Sequence, residues 1–200
     1  MSVKRDNMEQ QSIPPIEKII WRNLNEATAA LQRLNAYNNL WSTKHEIYPS
    51  EFLGQCSMAL YNDMMYSIIK VLEKDGAQQA LTFWYIKKEC LQEMMSYLED
   101  VETDLGFISK MTDKLMLVRH KTLFHLDRRG IIDSRAVWLE ADINFNDFQK
   151  LVKAVHHALE KLYFEKVSKD RPFVSYDGED ARVAVIELNK SEDYLRHRFG

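Results

Sequence analysis

The residues with the most chemical capacity lie in one run, Val118-Arg119-His120-Lys121-Thr122-Leu123-Phe124-His125-Leu126-Asp127. The run holds one Arg, one Lys, two His and one Asp, yet it keeps a helical apolar rhythm. Leu115, Val118, Thr122 and His125 follow steps of three and four, which sets His125 on or beside the inward stripe. Arg119 and His125 are six apart, roughly 120° around an ideal helix, so they border one groove. Lys121 and His125, four apart, share a face. Charged groups this close to an apolar stripe are costly unless they are paired or line a cleft. Between 119 and 129 four Lys or Arg residues stand against one acid, a local charge of +3 in a chain of net −3. Such a patch suits a phosphodiester. Arg119 can grip a phosphate in fork geometry and stabilise charge on a transferring phosphoryl group. Histidine is the side-chain type whose unperturbed pKa lies near neutrality, so His125 suits proton transfer. His120 and Lys121 would be secondary contacts, Arg128 and Arg129 complete the basic patch, and Asp127 would orient a His or pair with a basic neighbour. The plain alternative is a helix end with an Arg–Asp pair and a satisfied His.

This run resembles the signature of the HEPN superfamily, small all-helical domains marked by an Arg, a polar residue and then a His. Here it reads Arg119-His120, then five intervening residues before His125. The longer pattern Arg119-x-Lys121-x-x-x-His125-x-Asp127 is similar to the abortive-infection (AbiU-like) branch. Phe124 stands where that branch has a small residue, and is expected to narrow the groove. The resemblance covers residues 50–168. It implies a homodimer whose two motifs meet in one cleft, and metal-independent RNA cleavage by attack of the ribose 2′-OH on the adjacent phosphorus. His125 would act in proton transfer, Arg119 on the phosphoryl oxygens, with a 2′,3′-cyclic phosphate left behind. It also implies a phage-defence or toxin setting, with an antitoxin or regulatory protein as partner. A second reading is a non-catalytic HEPN-like dimer that binds a nucleotide, RNA or a partner protein through the same cleft.

The rest of the chain must build a scaffold for that helix. Two hundred residues suit one domain with a small appendage, and 46% hydrophobic content is enough for a core. Net charge −3 describes a slightly acidic soluble protein, so any nucleic-acid site must be local. Six Gly and four Pro are too few for a many-turned β fold. Cys56 and Cys90 are far apart and read as buried reduced thiols, which with a polar N-terminus points to the cytoplasm. No apolar run is long enough to span a membrane. No zinc-ligand spacing, phosphate loop or nucleophile elbow is present, and the reading needs no metal and no cofactor.

In order along the chain, residues 1–13 are polar and expected to be disordered. Residues 14–170 form the HEPN-like helical domain and 171–200 the appendage. Pro14-Pro15 open a helix to about residue 42. Ser50 caps a second, which runs to about 74 and ends at Asp75-Gly76. Asp63 falls on its inward side and reads as a partly buried acid paired with an Arg or a cap, or as support for the motif. A third helix spans about 78–100 with apolar residues on more than one face. Thr103 or Asp104 caps the fourth, which carries the motif and stops at Arg128-Arg129-Gly130. Residues 131–143 read as a connector with extended character. Asn144 and Asp147 form a near capping box for a fifth helix to about 168. Its face with Lys150, Lys153, His157 and Lys161 reads as solvated. His156 and His157 are adjacent and point about 100° apart, too divergent to share a metal. His45 reads as an ordinary loop residue. In the tail, Asp177-Gly178-Glu179 signals a short helix, against a partly strand-like alternation from 180 to 188. The expected fold is therefore all-α, a bundle of five main helices with a small C-terminal appendage.

Overall fold

The computed structural model describes residues 14–42, 51–74, 80–123, 134–170, 172–173 and 175–199. Among them the chain is all-α, with eight α-helices, one π-helical turn and no strand. They are α1 (Ile16–Ser42), α2 (Glu51–Leu72), α3 (Phe83–Glu89), α4 (Leu91–Glu99), α5 (Leu105–Val118), the π turn (Arg119–Leu123), α6 (Ser134–Ala141), α7 (Phe145–Lys166) and α8 (Glu179–Phe199). None of these helices is long and apolar enough to cross a membrane.

α1 is the spine. It packs against α2, α7 and α8, and touches α3 near its start. Ile20, Leu24, Ala27, Ala30 and Leu34 are fully buried along it, spaced by threes and fours. They join Met64, Ile68 and Leu72 of α2 and Phe148, Leu151, Val155 and Leu159 of α7 in one core. Burial of each large apolar side chain contributes about 1.5–3 kcal/mol. The Met residues at 64, 65 and 94 fill this core.

Two helix starts agree with their sequence signals. Asp104 Oδ1 accepts from Phe107 N at 2.7 Å at the head of α5. Asn144 Oδ1 accepts from Asp147 N at 2.8 Å at the head of α7, and its Nδ2 donates to Asp147 Oδ2 at 2.6 Å. Each satisfies a donor that the first helical turn leaves open.

Elsewhere the structure corrects the sequence reading. The single helix expected over 78–100 is two, α3 and α4, meeting at Cys90 (φ −130°, ψ 45°). Its apolar residues point to more than one face because each half serves a different neighbour. α3 buries Phe83 and Ile86 toward α1 and α2, while α4 buries Met94 and Leu98 and lies on α7. The connector expected over 131–143 contains a helix, α6. Val137 and Ala141, four apart, are both buried there, and that pairing outweighs the β-propensity of Val137-Trp138-Leu139. Asp63 is exposed rather than inward, and Arg33 Nε meets its Oδ2 at 3.1 Å on the surface. Lys150, Lys153 and Lys161 are exposed as expected, but His157 is half-buried with its Nε2 3.5 Å from Asp100 Oδ2. Cys90 is buried and Cys56 only half-buried; both are free thiols. The expectations for 1–13, His45, Ser50, Asp75-Gly76 and the Arg128–Gly130 stop fall outside the described residues.

The tail is helical, and its entry is fixed by Gly178. This residue sits at φ +81°, the region that favours glycine. A Cβ there would lie 2.6 Å from Ala36 N of α1. Asn35 Nδ2 donates to Tyr176 O at 2.9 Å and Asn39 Nδ2 to Asp177 O at 2.6 Å, so α1 grips the backbone just before α8. Val185 is then fully buried with Leu40 and Leu53. Gly178→Ala combines a left-handed backbone cost of about 1–2 kcal/mol with that clash. It is expected to detach α8 and speed hydrogen exchange at amides 179–188 at least tenfold, with the α1–α7 core still protected. Unchanged exchange across α8 would refute this account of the docking.

Candidate active site

α5 brings Arg119 to the end of α2. Ile108, Met111, Thr112, Leu115 and Val118 are buried along one face, and the Thr112 hydroxyl donates to Ile108 O at 2.8 Å. Directly after Val118 the ladder widens into the π turn of Arg119–Leu123. Such a turn holds an extra residue relative to an α-helix, so the angular spacing assumed for a regular helix does not carry through this run. Val118 stays fully buried, Arg119 is half-buried and His120 is exposed. α6 packs against both α5 and the turn. Lys114 Nζ donates to the backbone carbonyl of Asp142, just past the end of α6, and lies 3.2 Å from its carboxylate.

Arg119 Nη2 meets Glu73 Oε1 at 2.8 Å, with side-chain exposures of 22% and 37%. A pair this open to water contributes at most about 1 kcal/mol, so an incoming phosphate can compete for the guanidinium. Glu73 is held from behind. The Thr82 hydroxyl donates to Glu73 O at 3.0 Å, Trp84 Nε1 donates to Leu72 O at 2.9 Å, and Asn23 Nδ2 donates to Leu81 O at 2.8 Å. The first two clamp the chain around residue 82 onto the end of α2, satisfying carbonyls that a helix terminus leaves open, and the third ties the same chain to α1. Next to it, Lys74 Nζ lies 2.5 Å from Asp113 Oδ1 and 3.1 Å from Ser109 Oγ, a second tie between α2 and α5.

Glu73 also lines an open groove between the start of α1 and the end of α2, with Lys18, Arg22 and Lys70 along its walls. Lys70 pairs with Glu26 at 3.2 Å. Trp21, 48% exposed, stands between Lys18 and Arg22 on α1.

Of the residues singled out in the sequence, Arg119, His120 and Lys121 thus sit together on the π turn. His125, Asp127, Arg128 and Arg129 lie outside the described residues, as does Phe124. The sequence does not single out Glu73: the second helix is expected to run to about residue 74, with its stop at Asp75-Gly76. An acid just past a helix's C-terminus, as Glu73 is past α2, is unfavourable beside the helix dipole, and that is the available signal that it serves another cation. Away from this site, burial pushes His156 below the usual histidine range, with Glu160 drawing it back up and His157 adding to the lowering. Burial raises the Cys90 thiol, against the pull of Lys166. Among the described residues no three His, Cys, Asp or Glu side chains cluster as a metal site requires. Comparison with protein-family models, with curated proteins and with solved structures finds no match.

Proposed function

We propose that the chain is a metal-independent endoribonuclease of the HEPN kind, a HEPN-like helical bundle that works as a homodimer in the cytoplasm. The observation that carries the reading is the π turn at Arg119–Leu123. π-Helical geometry is rare and recurs at functional sites, and here it falls on the run chosen for its chemistry. The neighbouring groove with Lys18, Arg22 and Lys70 adds support, since such cations suit a phosphate backbone. In the proposed reaction the ribose 2′-oxygen bonds to phosphorus as the bond to the 5′-oxygen breaks. The 2′-OH proton leaves to a base and the 5′-oxygen gains a proton, transfers assigned to His125, while Arg119 stabilises the phosphoryl oxygens. His120 and Lys121 support the phosphate, Arg128 and Arg129 hold flanking RNA, and Asp127 orients a neighbour. A phage-defence or toxin role, restrained by an antitoxin or regulatory protein, fits such an activity.

Purified protein is expected to cut single-stranded RNA in the presence of chelator and leave 2′,3′-cyclic phosphate ends. Arg119→Ala and His125→Ala homodimers are each expected to be nearly inactive. Mixed and allowed to exchange subunits, they should regain part of the activity if the cleft takes its Arg from one chain and its His from the other. No recovery, with exchange confirmed, would exclude a composite site. Loss of cutting in chelator, restored by a divalent ion, would exclude the mechanism itself. The second reading, a non-catalytic dimer, is favoured by one observation: the Glu73 carboxylate already engages Arg119. RNA or nucleotide binding without cleavage, and no toxicity on expression, would decide for it.

A further inference from the structure

The Arg119 site opens onto a larger feature, the groove between the start of α1 and the end of α2. The groove holds about 820 Å³, within the roughly 300–1,000 Å³ of a typical small-molecule site. Glu73 belongs to both places. It lines the groove, and its Oε1 lies 2.8 Å from Arg119 Nη2. The guanidinium is therefore within one side chain's reach of the groove, and a chain molecule with one phosphate on Arg119 can continue into it. The step from Lys18 to Arg22 sets the direction. They are four apart on α1, share a face and are both exposed. Along the helix axis they stand about 6 Å apart, a step comparable with that between neighbouring phosphates of an extended strand.

Lys70 lines the same groove from α2, with its Nζ 3.2 Å from Glu26 Oε1 and its side chain 42% exposed. An ion pair this open to water is weak, so Lys70 can also serve a phosphate. The floor offers little with which to read a base. Ile19 and Val71 are buried. Both N–H groups of Asn23 are committed, since its Nδ2 donates to Ile19 O at 2.9 Å and to Leu81 O at 2.8 Å. Recognition therefore falls to the long cationic side chains, which grip phosphates without regard to sequence. We propose that this groove seats the strand flanking the scissile phosphate, so that the chain selects RNA oligonucleotides over dinucleotides whatever their sequence. The inference rests on the ribonuclease reading given above and adds substrate length to it. Phosphates beyond the reacting one supply binding that a dinucleotide lacks.

The test measures kcat/KM of the full chain for a nonameric oligouridylate and for the dinucleotide UpU. The parent protein is expected to favour the nonamer at least tenfold. A double variant, Lys18→Gln with Arg22→Gln, should lose about tenfold on the nonamer through KM and nothing on UpU, with circular dichroism confirming its fold. Its log KM for the nonamer should depend less steeply on log salt, by about 1.4, for two phosphates at about 0.7 each. Lys153→Gln with Lys161→Gln removes the same charge from the exposed face of α7 and should change neither substrate. No length preference in the parent, undiminished nonamer cleavage by the groove variant, or equal losses on both substrates would overturn the proposal. A parent protein that cuts neither substrate would refute the ribonuclease reading instead, and fluorescence anisotropy with labelled nonamer would then decide the groove by itself. Binding weakened about tenfold by the groove pair and not by the α7 pair would uphold it as the seat of the strand. Equal binding by all three proteins, or none by any, would overturn it.

Discussion

Arg119→Ala is expected to lower RNA cleavage about 100-fold or more, the size of effect seen when one donor is removed from a developing oxyanion. The fold should survive, because the Arg119–Glu73 pair is open to solvent and holds little stability. Glu73→Gln makes the contrast informative. If the carboxylate competes with phosphate for the guanidinium, its removal should tighten RNA binding up to about fivefold, the equivalent of about 1 kcal/mol, and lower KM with kcat little changed. If Glu73 instead aims Arg119, the same change should depress kcat. Full cleavage by Arg119→Ala would sink the ribonuclease assignment to this run.

Phe148→Ala is expected to cost about 3–5 kcal/mol, the largest single loss of stability proposed for this chain. Phe148 is fully buried where α7 meets the core, and its ring lies 6.2 Å from that of Tyr61 on α2. Truncation leaves a cavity that two helices would have to close together. Against a total stability of about 5–15 kcal/mol, denaturant melts should shift far to lower midpoints. Leu139→Ala is the control: the side chain is 70% exposed and should change stability by less than about 0.5 kcal/mol. A midpoint for Phe148→Ala within error of the parent protein would contradict the core described above.

The sequence was most readable where one helix buries one face. The stripes of α1 and α7 and the caps at Asp104 and Asn144 depend on neighbours three or four residues away, so local spacing captures them. It was least readable where a segment answers to distant partners. Nothing local at Cys90 marks a break; the break exists because α3 and α4 serve different surfaces. Val137-Trp138-Leu139 looks extended by composition, yet helix α6 forms because Val137 and Ala141 both find cover. At the candidate site, Arg119, His120 and Lys121 were legible from residue type alone. Their geometry was not, since a π turn has no compositional signal and Glu73 lies 46 residues earlier in the chain.

The contact between Asn35 and Tyr176 spans 141 residues of sequence. A ribosome adding about 5–20 residues per second needs roughly 7–28 s to make that stretch. α1 is complete long before α8 exists, and for that interval Leu40 and Leu53 lack the side chain of Val185 that seals them. Docking of α8 on α1 is therefore a long-range closure rather than the growth of a local nucleus. A nascent chain stalled before Gly178 would carry the spine with its apolar flank uncovered, the state most exposed to chaperone capture or aggregation.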